Sequence, residues 1–125
     1  MKTRYAVALA VIAAAGAAAT VHGLHAQSKP PVYYVAELDV MNPGNLNEYA
    51  GKMESSIKAA GGRYVVRGTN ISALEGTAPK FVVITVWDSL DRLKAWWDGP
   101  YNDLRPMRAN VHRSVRAYTV EGVPN

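Results

Sequence analysis

From Val32 onward the chain alternates between segments of period two and segments of helical period. Val32–Val40 reads as a strand. One face carries Val32, Tyr34, Ala36, Leu38 and Val40, and the other Tyr33, Val35, Glu37 and Asp39. Met41-Asn42-Pro43-Gly44 ends it, with Asn42 suited to a helix N-cap and Pro43 to the first helical position. The helix that follows lines up Leu46, Tyr49, Ala50, Met53, Ile57 and Ala60 as an apolar stripe. Glu48 with Lys52 and Glu54 with Lys58 form four-apart pairs on its wet side, and Gly61-Gly62 stops it.

Arg63–Arg67 reads as a second strand broken at Gly68, with Ile71–Leu74 expected to continue it beyond a bend. Glu75-Gly76-Thr77-Ala78-Pro79 is a turn, and Phe81–Trp87 is a strand apolar on both faces. Asp88 or Ser89 caps a further helix in which Leu90, Leu93 and Trp97 share a face. Gly99-Pro100 stops it, and Tyr101–His112 reads as a short helix with Leu104, Met107 and Val111 inward. Val115–Glu121 is the closing strand. The order strand-helix-strand-strand-helix-strand is that of the α+β, ferredoxin-like βαββαβ unit. Right-handed crossovers make the first and third strands central and put the second at an edge. A strand apolar on both faces needs cover on both sides, and helices of one small domain cover only one. This predicts a homodimer.

The residues before this domain read differently. Met1-Lys2-Thr3-Arg4 is a short cationic start, Tyr5–Ala19 is apolar, and the stretch relaxes towards Ala26. Residues 1–26 are therefore expected to be a cleaved signal peptide and residues 27–31 a linker, with the domain at 32–123. The mature protein is then periplasmic or secreted, with no membrane association after cleavage. The alternative is a retained anchor, since Tyr5–Leu24 approaches spanning length. Removal of the leader leaves about 99 residues, the size of one domain. It also takes 14 basic residues to 12 against 10 acidic, a scattered balance of +2. That is no nucleic-acid footprint. The sequence has no Cys, so disulfides, a lipid-modified cysteine, a Cys-ligated metal and Cys-x-x-Cys-His haem attachment are excluded.

Gly61-Gly62-Arg63-Tyr64-Val65-Val66-Arg67-Gly68, then Leu74-Glu75-Gly76 and Pro79, recur with Trp96-Trp97-Asp98-Gly99-Pro100-Tyr101 and Leu104-Arg105-Pro106-Met107-Arg108 as an ordered set. In these motifs residues 32–123 resemble the small bacterial family called domain of unknown function 1330. The resemblance implies a dimeric α/β barrel, in which two ferredoxin-like sheets close back to back.

Glu37 and Asp39, on one face of a central strand, are candidates for a catalytic base; the alternative is an ion pair with an Arg such as Arg116. Arg63 and Arg67 sit four apart, share a face of an extended strand, and are candidates for gripping an anion. Charged residues there also protect a sheet edge. Glu75 closes over a pocket or completes its turn, and Trp96 and Trp97 with Tyr101 form an aromatic wall for a ring-shaped ligand or part of the core. Arg105 joins these as a candidate ligand contact. His112 would be the sole histidine of the mature chain, which supports no metal site. No cofactor motif is present. The expected function is binding of a small anionic or aromatic molecule. The alternative is a cofactor-independent oxygenase or isomerase acting on a small molecule.

Overall fold

The structure is a computed structural model that describes residues 29–124, and the leader read at residues 1–26 lies outside them. Pro30–Val123 form one unit. Its elements are β1 (Val32–Val40), a 3-10 turn (Pro43–Asn45), α1 (Leu46–Ala60), β2 (Arg63–Gly68), β3 (Phe81–Trp87), α2 (Leu90–Asp98), α3 (Pro100–Ala109) and β4 (His112–Glu121). The four strands form an antiparallel sheet in the order β2-β3-β1-β4, which is the ferredoxin-like arrangement. No helix of the described residues is long and apolar enough to cross a membrane.

Local chemistry sets the element ends. The Asn42 side chain accepts from the Gly44 amide at 3.2 Å and starts the 3-10 turn that leads into α1. Gly61 closes α1 at φ +96°, a left-handed conformation that costs other residues energy. Gly62 serves a different need: a Cβ there would lie 2.6 Å from the Trp87 ring. Of the two candidate caps of α2, Ser89 does the work, its Oγ accepting from the Arg92 amide at 3.2 Å.

The helices bury one face of the sheet. Tyr34, Ala36 and Leu38 of β1 and Val83 and Trp87 of β3 pack against Tyr49, Met53 and Ile57 of α1 and Leu93 and Trp96 of α2. Buried indoles keep their N–H groups satisfied: Trp87 donates to Thr85 Oγ1 at 2.8 Å and Trp96 to Ser56 Oγ at 3.1 Å. The opposite face carries Tyr33, Val35, Val82, Ile84, Val86, Tyr118 and Val120, the last two about half exposed.

Two bulges change which side chains share a face. Val65 has no partner between the pairs Tyr64–Thr85 and Val66–Ile84. Val115 has none between Glu37–Arg116 and Leu38–Ser114. Each extra residue reverses the alternation along its edge strand. Arg67 therefore sits opposite Val83 on the helix-covered face, and Arg63 opposite Val86 on the other. The shared face expected for this pair is not observed. Likewise His112 and Ser114 lie on the helix-covered face, while Arg116 pairs with Glu37 on the opposite one.

Other expectations are also corrected. Ile71–Leu74 is not a strand; β2 ends at Gly68 and bends follow. The buried residues of α2 are Leu93 and Trp96, with Leu90 exposed and Trp97 half-buried. The final helix stops at Ala109, so His112 opens β4 rather than ending a helix.

Candidate functional site

A cavity of about 40 Å³ lies between the sheet and helices α1 and α3. Its walls are mostly apolar, with Leu38, Leu46, Met53, Phe81 and Val83 among them. Into this setting the fold brings Tyr34 from β1, Tyr49 from α1, Tyr64 and Arg67 from β2, Tyr101 and Arg108 from α3, and His112 from β4. The strand alternation that buries Ala36 and Leu38 places Tyr34 inward too, and the α1 stripe does the same for Tyr49.

The polar groups form a connected set. Arg108 Nη1 donates to Tyr101 Oη at 2.6 Å. Burial raises the pKa values of Tyr34 and Tyr49, and the neighbouring Tyr101 hydroxyl raises both further. Both phenols therefore sit in a region where a phenolate is strongly disfavoured. The ring edge of His112 meets Tyr49 with centroids 5.2 Å apart. Burial, then the Arg108 charge, lowers the His112 pKa to about 4, so the imidazole is neutral at pH 7. Its Nδ1 is buried with no hydrogen-bond partner among the described residues.

Arg67 lies 4.8 Å from the Tyr64 ring centroid and 3.6 Å from the Glu54 carboxylate. Among the described residues no carboxylate stands within salt-bridge distance of Arg108, whereas Arg67, Arg113 and Arg116 each have one. The cavity is therefore apolar, positive and free of carboxylates on its walls. Such a site can hold an anion or a small electron-rich group. No group of three or more His, Cys, Asp or Glu able to hold a metal occurs among the described residues.

Of the residues singled out in the sequence, the structure brings Arg67 and Tyr101 to this cavity. Glu37 and Asp39 are on the opposite face of β1. Glu37 accepts two hydrogen bonds from Arg116, at 2.7 and 3.0 Å, which hold its carboxyl below the usual range. Asp39 accepts one from Arg113 at 2.7 Å. The ion-pair alternative describes these two carboxylates, and neither reaches the cavity. Arg63 faces the same outer side. Glu75 is exposed in the loop after β2. Trp97 stacks on Tyr101 at 4.7 Å, and Arg105 covers both rings at 4.6 and 5.2 Å, forming the layer behind the cavity wall.

Sequence reasoning did not select Tyr34, Tyr49, Arg108 or His112. Tyr34 and Tyr49 read as core positions, which they also are. His112 was placed at the end of a helix, so its position on the helix-covered face of β4 was not foreseen. Arg108 was visible only as the last residue of the Leu104–Arg108 motif.

Residues 31–123 match the family described as domain of unknown function (DUF1330). The chain belongs to that family. No curated protein matches it. Among solved structures, a protein of unknown function from Rhodopseudomonas palustris is similar at 14% identity with a TM-score of 0.61, over 78% of this chain and 85% of that one. SnoaB, a cofactor-independent oxygenase from Streptomyces nogalater, is similar at 13% identity and a TM-score of 0.57, over 77% and 96%. A putative antibiotic biosynthesis monooxygenase from Chloroflexus aurantiacus gives 18% identity and a TM-score of 0.51, over 76% and 95%. At these identities the likeness is one of fold, and the DUF1330 assignment leaves activity to be argued from the site.

Proposed function

We propose that this DUF1330 chain is an exported protein that binds a small anionic or aromatic molecule in the cavity beneath α1 and α3. The observation that carries the reading is the presence of Arg67 and Arg108 on an apolar cavity whose walls hold no carboxylate. An apolar pocket with a few convergent polar groups is the usual form of a small-molecule site. A thermal-shift screen of small carboxylates and aromatic acids tests it, because a ligand of the native state raises stability. Arg67→Ala should abolish the stabilising hits while leaving the ligand-free melting temperature close to wild type, since the Arg67 side chain is 43% exposed. Hits that survive the substitution would remove Arg67 from the site.

A second reading, a cofactor-independent oxygenase or isomerase acting on a small molecule, draws support from the fold it shares with SnoaB. A carboxylate base on β1 would need Glu37 or Asp39 to leave its arginine partner and the outer face, so His112 is the better-placed proton acceptor. Turnover of a bound compound that persists in Glu37→Gln and stops in His112→Phe would support it.

Export rests on the cationic, apolar and small-residue pattern of residues 1–26. Intact-mass measurement of the secreted or periplasmic fraction should find a chain beginning near Gln27. Full-length protein confined to washed membranes would favour the anchor instead.

A further inference from the structure

His112 lines the cavity, and its ring carries a polar atom whose bonding capacity the described residues leave unused. The residue is 5% exposed, and Nδ1 has no hydrogen-bond partner among the described residues. Such atoms are uncommon in folded proteins and mark places where something outside the chain completes the bonding. The Val115 bulge is what turns this side chain to the cavity, and bulges that re-aim a side chain are frequent next to binding sites.

Arg108 supplies the complementary half. It lines the same cavity, has one protein partner in the Tyr101 hydroxyl, and has no carboxylate within salt-bridge distance among the described residues. Its charge acts on the neighbouring imidazole and opposes protonation there. The nearby phenols cannot answer that charge, because burial keeps Tyr34 and Tyr49 neutral. A cation without a counter-charge and a histidine whose Nδ1 lacks a partner thus line one cavity. A single anionic group with two oxygens would satisfy both.

Size narrows the choice. At roughly 10–15 Å³ for each water-sized group, the 40 Å³ cavity admits about three such groups. That matches a carboxylate head with a short tail more closely than a ring system.

We infer that the cavity takes a small aliphatic carboxylate, one oxygen held by the Arg108 guanidinium and the other accepting from Nδ1–H of His112. The tail lies against Leu38, Met53 and Val83. This inference rests on the reading of the cavity as an anion site and names the anion's class.

The test uses the full chain with acetate and propionate as probes, acetamide as an uncharged isostere and benzoate as a ring-bearing anion. Imidazole nitrogen resonances are followed by NMR, with those of His112 assigned by their loss in His112→Phe. Acetate and propionate should shift the His112 Nδ1 resonance, and acetamide should not. Both carboxylates should bind about tenfold or more weakly to His112→Phe and to Arg108→Gln, the scale expected for losing a charge-assisted hydrogen bond. His112→Phe keeps a ring against Tyr49. Arg108→Gln alters a partly buried side chain outside the core cluster and carries the test if the first variant does not fold. Equal affinity in wild type and variants overturns the inference, as does an unmoved Nδ1 resonance at saturating acetate. If benzoate binds in an Arg67-dependent way while acetate and propionate do not, the general anion site stands and this assignment falls. If none of the anions binds, both fall.

Discussion

His112 titrates near 6.5 in an unfolded chain and at about 4 in the folded one, because burial and then Arg108 disfavour the imidazolium. Between those values the unfolded chain holds more protons than the native one, so stability rises with pH across the window. The contribution of the neutral ring is complete above about pH 6.5 and is lost as pH falls towards about 4. The gap corresponds to a total on the order of 3 kcal/mol. Urea unfolding of wild type should therefore give a stability about 2–3 kcal/mol lower at pH 4.5 than at pH 7 from this residue alone. His112→Phe should flatten most of that difference. A variant with the same pH dependence as wild type would mean that His112 is not the buried titrating group. Glu37 and Glu54, held low first by Arg116 and by Lys58 respectively, contribute their own acid sensitivity to both proteins and cancel in the comparison. At this scale the sequence was informative where one side chain had one evident need, as with Ser89, Gly61 and the pairing of Glu37. It was silent where a residue that lines the cavity also looks like core: Tyr34 and Tyr49 stand on its wall at positions that any apolar stripe would contain.

The elements themselves were legible because period, caps and breakers agree along most of the chain. Ser89 provides a measurable case. Its hydroxyl oxygen accepts the Arg92 amide, one of the N–H groups that an α-helix leaves unpaired at its start. Ser89→Ala should cost about 1 kcal/mol, read as a melting temperature roughly 4–8 °C lower for a domain of this size. An unchanged melting temperature would show that water replaces the cap at no cost. Strand faces were less legible than strand existence. A strictly alternating reading put Arg63 beside Arg67, and the unpaired Val65 accounts for that error; His112, read as a helix end, was not placed on a strand face at all. A bulge has no strong residue signature when the extra residue is valine, since Val65-Val66 reads as ordinary strand. On α2 the expected stripe ran through Trp97, but Trp96, three residues from Leu93, is the buried indole, its N–H satisfied by Ser56.

For the whole molecule, the homodimer expectation rests on the outer face of the sheet. Tyr33 and Val35 of β1, Val82, Ile84 and Val86 of β3, and Tyr118 and Val120 of β4 form an apolar surface across the central strands. Beside them Glu37 is 9% exposed and neutralised by Arg116. A second copy laid on this face would remove it from water at about 25 cal/mol for each Å² of apolar area, and homodimer interfaces are more apolar than other surfaces. The sheet faces also identify the correct probe. Val83 points into the helix-covered core, so a charge there would test folding rather than association, whereas Ile84 points outward, paired with Val35. Light scattering of the wild type at micromolar concentration should report about twice the chain mass. Ile84→Asp should give a single-chain mass while keeping the far-ultraviolet circular dichroism of the wild type, because its carboxylate can remain in water only if the second copy is absent. A wild type that scatters as a monomer, with a melting temperature independent of protein concentration, would sink the dimer and leave this face to water.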